Sequence, residues 1–77
     1  MNNQRRSDLR SAITYLDKAI SIISDVMFKE RLAIENVPEN LQETERFSKM
    51  EDSMDLMGDA MDNVKEARST LCEAVEN

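Results

Sequence analysis

The chain lacks several of the residue types on which enzyme and metal chemistry depend. Its 77 residues include no histidine, no tryptophan and a single cysteine, Cys72. An intramolecular disulfide needs two cysteines, and a structural zinc site needs sulfur and nitrogen ligands that are missing here. No histidine-dependent nucleophile can be assembled, and no Gly-rich phosphate loop is present. The sequence therefore predicts a protein that is not an enzyme and that binds no metal and no cofactor.

Glycine and proline are equally scarce, with one of each, Gly58 and Pro38. Because these residues interrupt helices, the chain encodes one strong break, near its middle. We expect Asn36 to close the first helix in a left-handed conformation and Pro38 to open a short turn. The second helix has two candidate starts, with Asn40 or Thr44 as the N-cap, and the sequence leaves both open.

Two apolar stripes, spaced alternately by four and three residues, lie on either side of this break. The first consists of Leu9, Ile13, Leu16, Ile20, Ile23, Met27 and Ile34. The second consists of Phe47, Met50, Met54, Met57, Met61, Val64, Leu71 and Val75, with Arg68 in register. A 3.5-residue repeat is typical of helices that pack side by side. The sequence therefore predicts an all-α fold, a coiled-coil-like antiparallel two-helix hairpin, as one domain over residues 1–77, with helix 1 over about 5–35, a turn over about 36–43 and helix 2 over about 44–76.

Further apolar residues lie beside both stripes. Small ones recur every seven positions, at Ala12, Ala19, Val26, Ala33, Ala60, Ala67 and Ala74. The larger ones form the candidate oligomer or partner interface, which consists of Tyr15, Ile22, Phe28 and Leu56. Since a two-helix hairpin leaves part of this surface open, we expect a homodimer in which two hairpins form a four-helix bundle. The competing expectation is a monomer that buries the surplus on a different protein.

Charge of one sign is concentrated in the second half of the chain. Residues 1–38 carry six basic and five acidic groups and residues 39–77 carry four and eleven, so the halves are near +1 and −7 within a net charge of −6. Direct binding of nucleic acid is not expected, because it needs a basic surface. Carboxylates form a row at helical spacing, which consists of Asp52, Asp55, Asp59, Asp62 and Glu66. This acidic row is either a solvated outer face or a docking strip whose carboxylates imitate phosphates toward a basic protein partner.

The N-terminal residues up to Arg6 are basic, but they lead into an amphipathic stretch and not into a continuous apolar one. This pattern predicts neither a signal peptide nor a membrane span. We therefore expect a cytoplasmic protein that does not bind membranes, with Cys72 reduced.

The turn carries a distinctive linker, Asn36-Val37-Pro38-Glu39-Asn40-Leu41-Gln42, followed by Thr44-Glu45-Arg46-Phe47. This pattern resembles uncharacterised short helical-hairpin proteins of Gram-positive bacteria and their phages, which share an Asn-x-Pro-Glu-Asn-Leu-Gln linker. The chain departs from them at Glu43 and Thr44, where those proteins have a small pair such as Gly-Ser. The resemblance implies a hairpin from a bacterium or a mobile element, located in the cytoplasm of the bacterium or of the infected host cell. It implies no activity.

The leading functional hypothesis is a small, acidic phage or mobile-element protein that binds another protein through the acidic row. Its target would be a host or defence protein that handles nucleic acid, which it would inhibit in the manner of an anti-CRISPR or anti-restriction protein. One alternative is a structural or adaptor hairpin that completes a helical bundle with a partner subunit. Another is an antitoxin or immunity protein, which would also direct an acidic helix at a nuclease.

Overall fold

The computed structural model describes residues 1–77 as two long helices joined by a short turn. Helix α1 spans Asn3–Glu35, a single 3-10 turn spans Glu39–Leu41, and helix α2 spans Glu45–Glu76. The two helices pack against each other in opposite directions and form a rod with extents of 60 × 15 × 13 Å. The predicted all-α hairpin is confirmed. Neither helix has a stretch that is long and apolar enough to cross a membrane.

Polar side chains define where each helix begins. The Asn2 side-chain oxygen accepts a hydrogen bond from the Arg5 backbone N–H at 2.9 Å, so α1 starts two residues earlier than the apolar repeat predicts. The Thr44 hydroxyl oxygen accepts from the Phe47 backbone N–H at 3.3 Å and donates to the Leu41 carbonyl at 2.8 Å. Both caps satisfy backbone N–H groups that have no partner inside the first turn of a helix. Of the two candidate starts for α2, the structure selects Thr44.

The turn between the helices differs from the sequence prediction at one residue. Asn36 caps α1 with right-handed angles, φ −90° and ψ 0°, and no residue in the chain has a positive φ. The predicted left-handed conformation of Asn36 is therefore wrong. Pro38 is extended, at φ −58° and ψ 146°, and its carbonyl accepts from the Leu41 N–H at 2.9 Å. Since this 3-10 turn already redirects the chain, the left-handed residue that often ends a helix is not needed.

The core of the hairpin is a narrow seam between the two helices. Only one residue, Met61, is buried, with 7% of its surface exposed. The other members of the two apolar stripes are half-buried, because each is covered by one opposing helix and remains open at the sides. A pair of helices therefore encloses little apolar surface, and a chain of this length needs additional help to reach the stability of a larger domain.

Two polar contacts across the seam fix how the helices are aligned. Near the open end of the hairpin, the Arg6 Nε donates to the Val75 carbonyl at 3.2 Å, which satisfies one of the last carbonyl groups of α2. A little less than halfway along α1, Asp17 pairs with Arg68 of α2. Residues 17 and 68 therefore lie at the same height along the rod.

Candidate protein-binding surfaces

The acidic row lies on the outer side of α2, opposite the seam. All five of its carboxylates are exposed. The three ion pairs of the chain use other acids, Asp17, Asp25 and Glu45, so no residue of the row is neutralised by a neighbouring cation. Side chains three and four residues apart on a helix lie about 5–6 Å from one another, so the row forms a continuous strip of negative charge.

Three of the four predicted interface residues lie on one broad side of the hairpin, together with the small residues. Ala19 and Val26 directly precede the seam residues Ile20 and Met27, and Ala60 directly precedes Met61. In two antiparallel helices, the positions that directly precede corresponding seam residues fall on the same side of the pair. We call this side the alanine face, and its members are Ala12, Tyr15, Ala19, Ile22 and Val26 on α1 with Leu56, Ala60, Ala67 and Ala74 on α2.

The alanine face exposes large apolar side chains as well as small ones. Tyr15 is 74% exposed and Leu56 is 68% exposed, and Ile22 and Val26 are also classed as exposed. Between the heights of Tyr15 and Val26, α1 contributes no charged side chain to this face. Contiguous exposed apolar surface of this kind marks a site of association more often than a solvated surface.

The opposite side of the hairpin, the polar face, carries a different set of residues. Its members flank the seam on the other side and are Arg10, Asp17, Ser24 and Arg31 on α1 with Glu51, Gly58, Lys65 and Cys72 on α2. Phe28 lies on this side, where it borders a shallow depression together with Met27, Met61 and Lys65. The predicted interface is therefore split, because Phe28 points away from the face that Tyr15, Ile22 and Leu56 share.

The strongest electrostatic contact on the polar face joins Asp17 and Arg68. The Arg68 Nε donates to one carboxylate oxygen of Asp17, and the Arg68 Nη2 donates to the other at 3.2 Å. The hydrogen bonds from the guanidinium hold the pKa of the Asp17 carboxyl below its usual value of 3.8, and they raise the pKa of Arg68. Both side chains are still 49% and 40% exposed, so water screens the pair and limits its contribution to stability.

Sequence reasoning gave no indication of this ion pair, because its partners lie 51 residues apart. The available signal was Arg68 itself, a charged residue in register with an apolar stripe, which requires a polar partner beside the seam. A second feature that the sequence did not suggest is an apolar depression of about 520 Å³ at the turn, whose lining includes Val37, Pro38, Leu41 and Phe47.

The side chains that could bind a metal ion do not converge in the structure. No three histidine, cysteine, aspartate or glutamate residues are placed so that they could hold one metal ion. Cys72 is partly exposed, and its Sγ lies 3.7 Å from the Arg68 Nη1. The arrangement of exposed apolar and acidic surfaces is suited to binding another protein.

Comparisons with protein-family models, curated proteins and solved structures find no match to this chain.

Proposed function

We propose that this chain is a non-catalytic protein-binding hairpin whose acidic row docks on the basic, nucleic-acid-handling surface of another protein. The observation that supports the proposal is the state of the row, since all five carboxylates are exposed and none has an ion-pair partner. Like charges three and four residues apart destabilise a helix by a few tenths of a kcal/mol per pair. A basic partner would relieve this repulsion on binding.

A partner bound in this way would be inhibited because the hairpin competes with nucleic acid for the same basic surface. A surface that binds nucleic acid uses Lys and Arg to contact successive phosphates, and a rigid row of carboxylates offers it a substitute. The hairpin would then be an inhibitor of anti-CRISPR or anti-restriction type. The linker that begins at Asn36 resembles that of hairpin proteins of bacteria and their phages, which supports a mobile-element source and does not bear on activity.

The proposal includes a homodimer in which two hairpins form a four-helix bundle. Two observations support the dimer: only Met61 is buried in the hairpin, and the alanine face exposes large apolar side chains. The acidic row points away from the seam and lies outside the alanine face. Pairing through that face would leave the aspartates of both rows in solvent, where they remain available as docking strips.

The test compares two variants with the same net charge. The first neutralises the row with Asp55→Asn, Asp59→Asn and Asp62→Asn. The second neutralises exposed acids near the turn with Glu35→Gln, Glu39→Gln and Glu43→Gln. Each variant and the unaltered chain would be immobilised and incubated with bacterial extract at low and high salt, and the retained proteins would be identified by mass spectrometry. Fragments of duplex DNA, added as a competitor, would test whether the captured surface binds nucleic acid.

We expect the unaltered chain and the turn variant to retain the same basic protein at low salt and to release it at high salt or on addition of DNA. The row variant should lose it. Equal loss by both variants would show that only net charge matters, and equal retention by both would show that the row is not the docking surface. Either result contradicts the proposal.

A second candidate function is an adaptor that completes a helical bundle with a partner subunit. The specific observation in its favour is the exposure of Tyr15 and Leu56. Binding through these apolar groups would survive high salt, unlike binding through the row, and it would be lost on Tyr15→Ala or Ile22→Glu. The same capture experiment therefore separates the two functions.

A further inference from the structure

The side of the hairpin that carries the alanine face is large enough to be the interface of a stable dimer. One whole broad side of the 60 × 15 Å rod covers on the order of 900 Å², and the alanine face forms the middle part of it. Stable protein interfaces bury about 800 Å² on each partner. Only Met61 is buried in the isolated hairpin, and four of the eight large apolar side chains that are exposed lie on this face.

Two arrangements place the alanine faces of two copies against each other. If the two-fold axis runs along the helices, α1 of each copy lies against α2 of the other, and both turns are at the same end of the bundle. If the axis runs across the helices, α1 lies against α1 and α2 lies against α2, and the turns are at opposite ends. The charges and side-chain sizes on the face distinguish these arrangements.

The charge distribution favours contact between unlike helices. The acidic row lies outside the alanine face but borders it on α2, so an α2–α2 contact would set the two rows side by side along the same edge of the bundle, where their like charges would repel. Lys18 of α1 is exposed and forms no ion pair. Because Asp17 contacts Arg68, Lys18 and Glu66 lie at similar heights along one hairpin. A two-fold axis along the helices keeps these heights, so Lys18 of one copy lies at the height of Glu66 of the other.

Side-chain size favours the same arrangement. On α1, the exposed residues Tyr15 and Ile22 are large. With Asp17 level with Arg68, they lie level with the smaller residues Thr70 and Asn63 of α2, next to Ala67 and Ala60. An α1–α2 contact sets large side chains over small ones, which is how packed helices interdigitate. An α1–α1 contact would set large residues against large ones and leave the alanines of α2 facing each other across a gap.

We propose that the alanine face is covered by a second copy of this chain, with α1 of each copy against α2 of the other and with both turns at the same end of the bundle. This arrangement rests on the proposed homodimer and gives it an orientation. All neighbouring helices in the resulting bundle are antiparallel, as in up-down-up-down bundles.

The test measures the distance between the two turns. Cys72→Ser removes the native thiol, and Glu43→Cys places one spin label on an exposed residue of the turn. Since packed helices lie 8–10 Å apart, we expect double electron–electron resonance to give a label-to-label distance of about 20–30 Å. A distance near the 60 Å length of the rod would overturn the orientation while leaving a dimer.

The mass in solution tests the dimer separately. Light scattering after size exclusion should give twice 8.9 kDa, and a mass of 8.9 kDa at micromolar concentration, with no dipolar coupling between labels, would overturn both the dimer and its arrangement.

Ile22→Glu should raise the dimer dissociation constant at least about 100-fold, because it buries an unpaired charge. Ser21→Glu adds the same charge at an exposed position on the other side of α1 and should leave the constant unchanged. Equal effects of the two substitutions would contradict the use of the alanine face.

Discussion

The alanine face and the polar face of the hairpin have the same length and flank the same seam, yet they differ in how their side chains are satisfied. On the polar face, Asp17 pairs with Arg68 across the two helices, and the flanking residues are mostly charged or hydroxylic. On the alanine face, Tyr15, Ile22 and Leu56 contact solvent. The difference teaches that the polar face presents mainly charged and hydroxylic groups to water, whereas the alanine face presents large apolar side chains to it.

The largest expected effect comes from placing a charge on the alanine face. If the proposed dimer forms, Ala67→Glu should abolish it and lower the free energy of unfolding, at a fixed protein concentration, by at least about 3 kcal/mol, because an unpaired charge would be buried. The measurement is urea unfolding at several protein concentrations, combined with the mass in solution. Ser69→Glu is the matched control two residues away, toward the polar face, and should change neither. A dimeric Ala67→Glu protein would show that the two faces do not differ in the way described.

A smaller effect of the opposite sign is expected at Gly58 on the polar face. A Cβ built at Gly58 meets nothing within 4 Å, and its φ is not positive, so neither space nor backbone geometry requires glycine. Gly58→Ala should therefore raise the free energy of unfolding by about 0.5–1 kcal/mol, through the better helix propensity of alanine. Thermal unfolding followed by circular dichroism would measure the change. A loss of stability would mean that another molecule approaches the backbone there, and that the polar face is also an interface.

Phe28 provides a third, weaker test of the comparison. This side chain is exposed and lies on the polar face, so Phe28→Ser should leave the dimer intact and change the free energy of unfolding by no more than about 0.5–1 kcal/mol. The mass in solution and the urea midpoint are the two readouts. Dissociation of this variant would move the interface to the side of the hairpin that carries Asp17.

The smallest expected effect concerns the Asp17–Arg68 pair and depends on pH. Because hydrogen bonding to Arg68 lowers the pKa of Asp17 in the folded protein, the pair contributes stability above pH 4 that is lost as the pH falls through the lowered pKa. Asp17→Asn should lower the urea midpoint slightly at pH 7 and by less at pH 2. Equal effects at both pH values would show that Asp17 acts through packing and not through its charge.

The sequence predicted the parts of the fold that depend on local rules. The 3.5-residue repeat placed both helices, Pro38 placed the turn, and Thr44 was one of two candidate caps because its hydroxyl suits a helix start. The predicted left-handed conformation of Asn36 was wrong, because the 3-10 turn that follows makes a left-handed residue unnecessary. Phe28 was grouped with Tyr15 and Ile22 because all are apolar and off the stripe, although its position around the helix puts it on the other flank. Pairs such as Asp17 and Arg68 depend on the alignment of distant segments, which no local rule supplies.

The position of Arg68 also disfavours arrangements of the hairpin in which α2 is shifted along α1 by one heptad. The seam of α2 is rich in methionine, whose flexible side chain adapts to altered neighbours, so after a shift of one heptad apolar residues would still face each other wherever the two helices overlap. Such a shift would move Arg68 from Asp17 to Arg10 or to Ser24, which offer repulsion or no counter-charge. A single polar residue within a heptad stripe is known to fix register in coiled coils at some cost in stability. Arg68 thus fixes the alignment of the two helices more than it stabilises them. Its pair with Asp17 adds little to the free energy of unfolding, but alignments shifted by one heptad lose that pair.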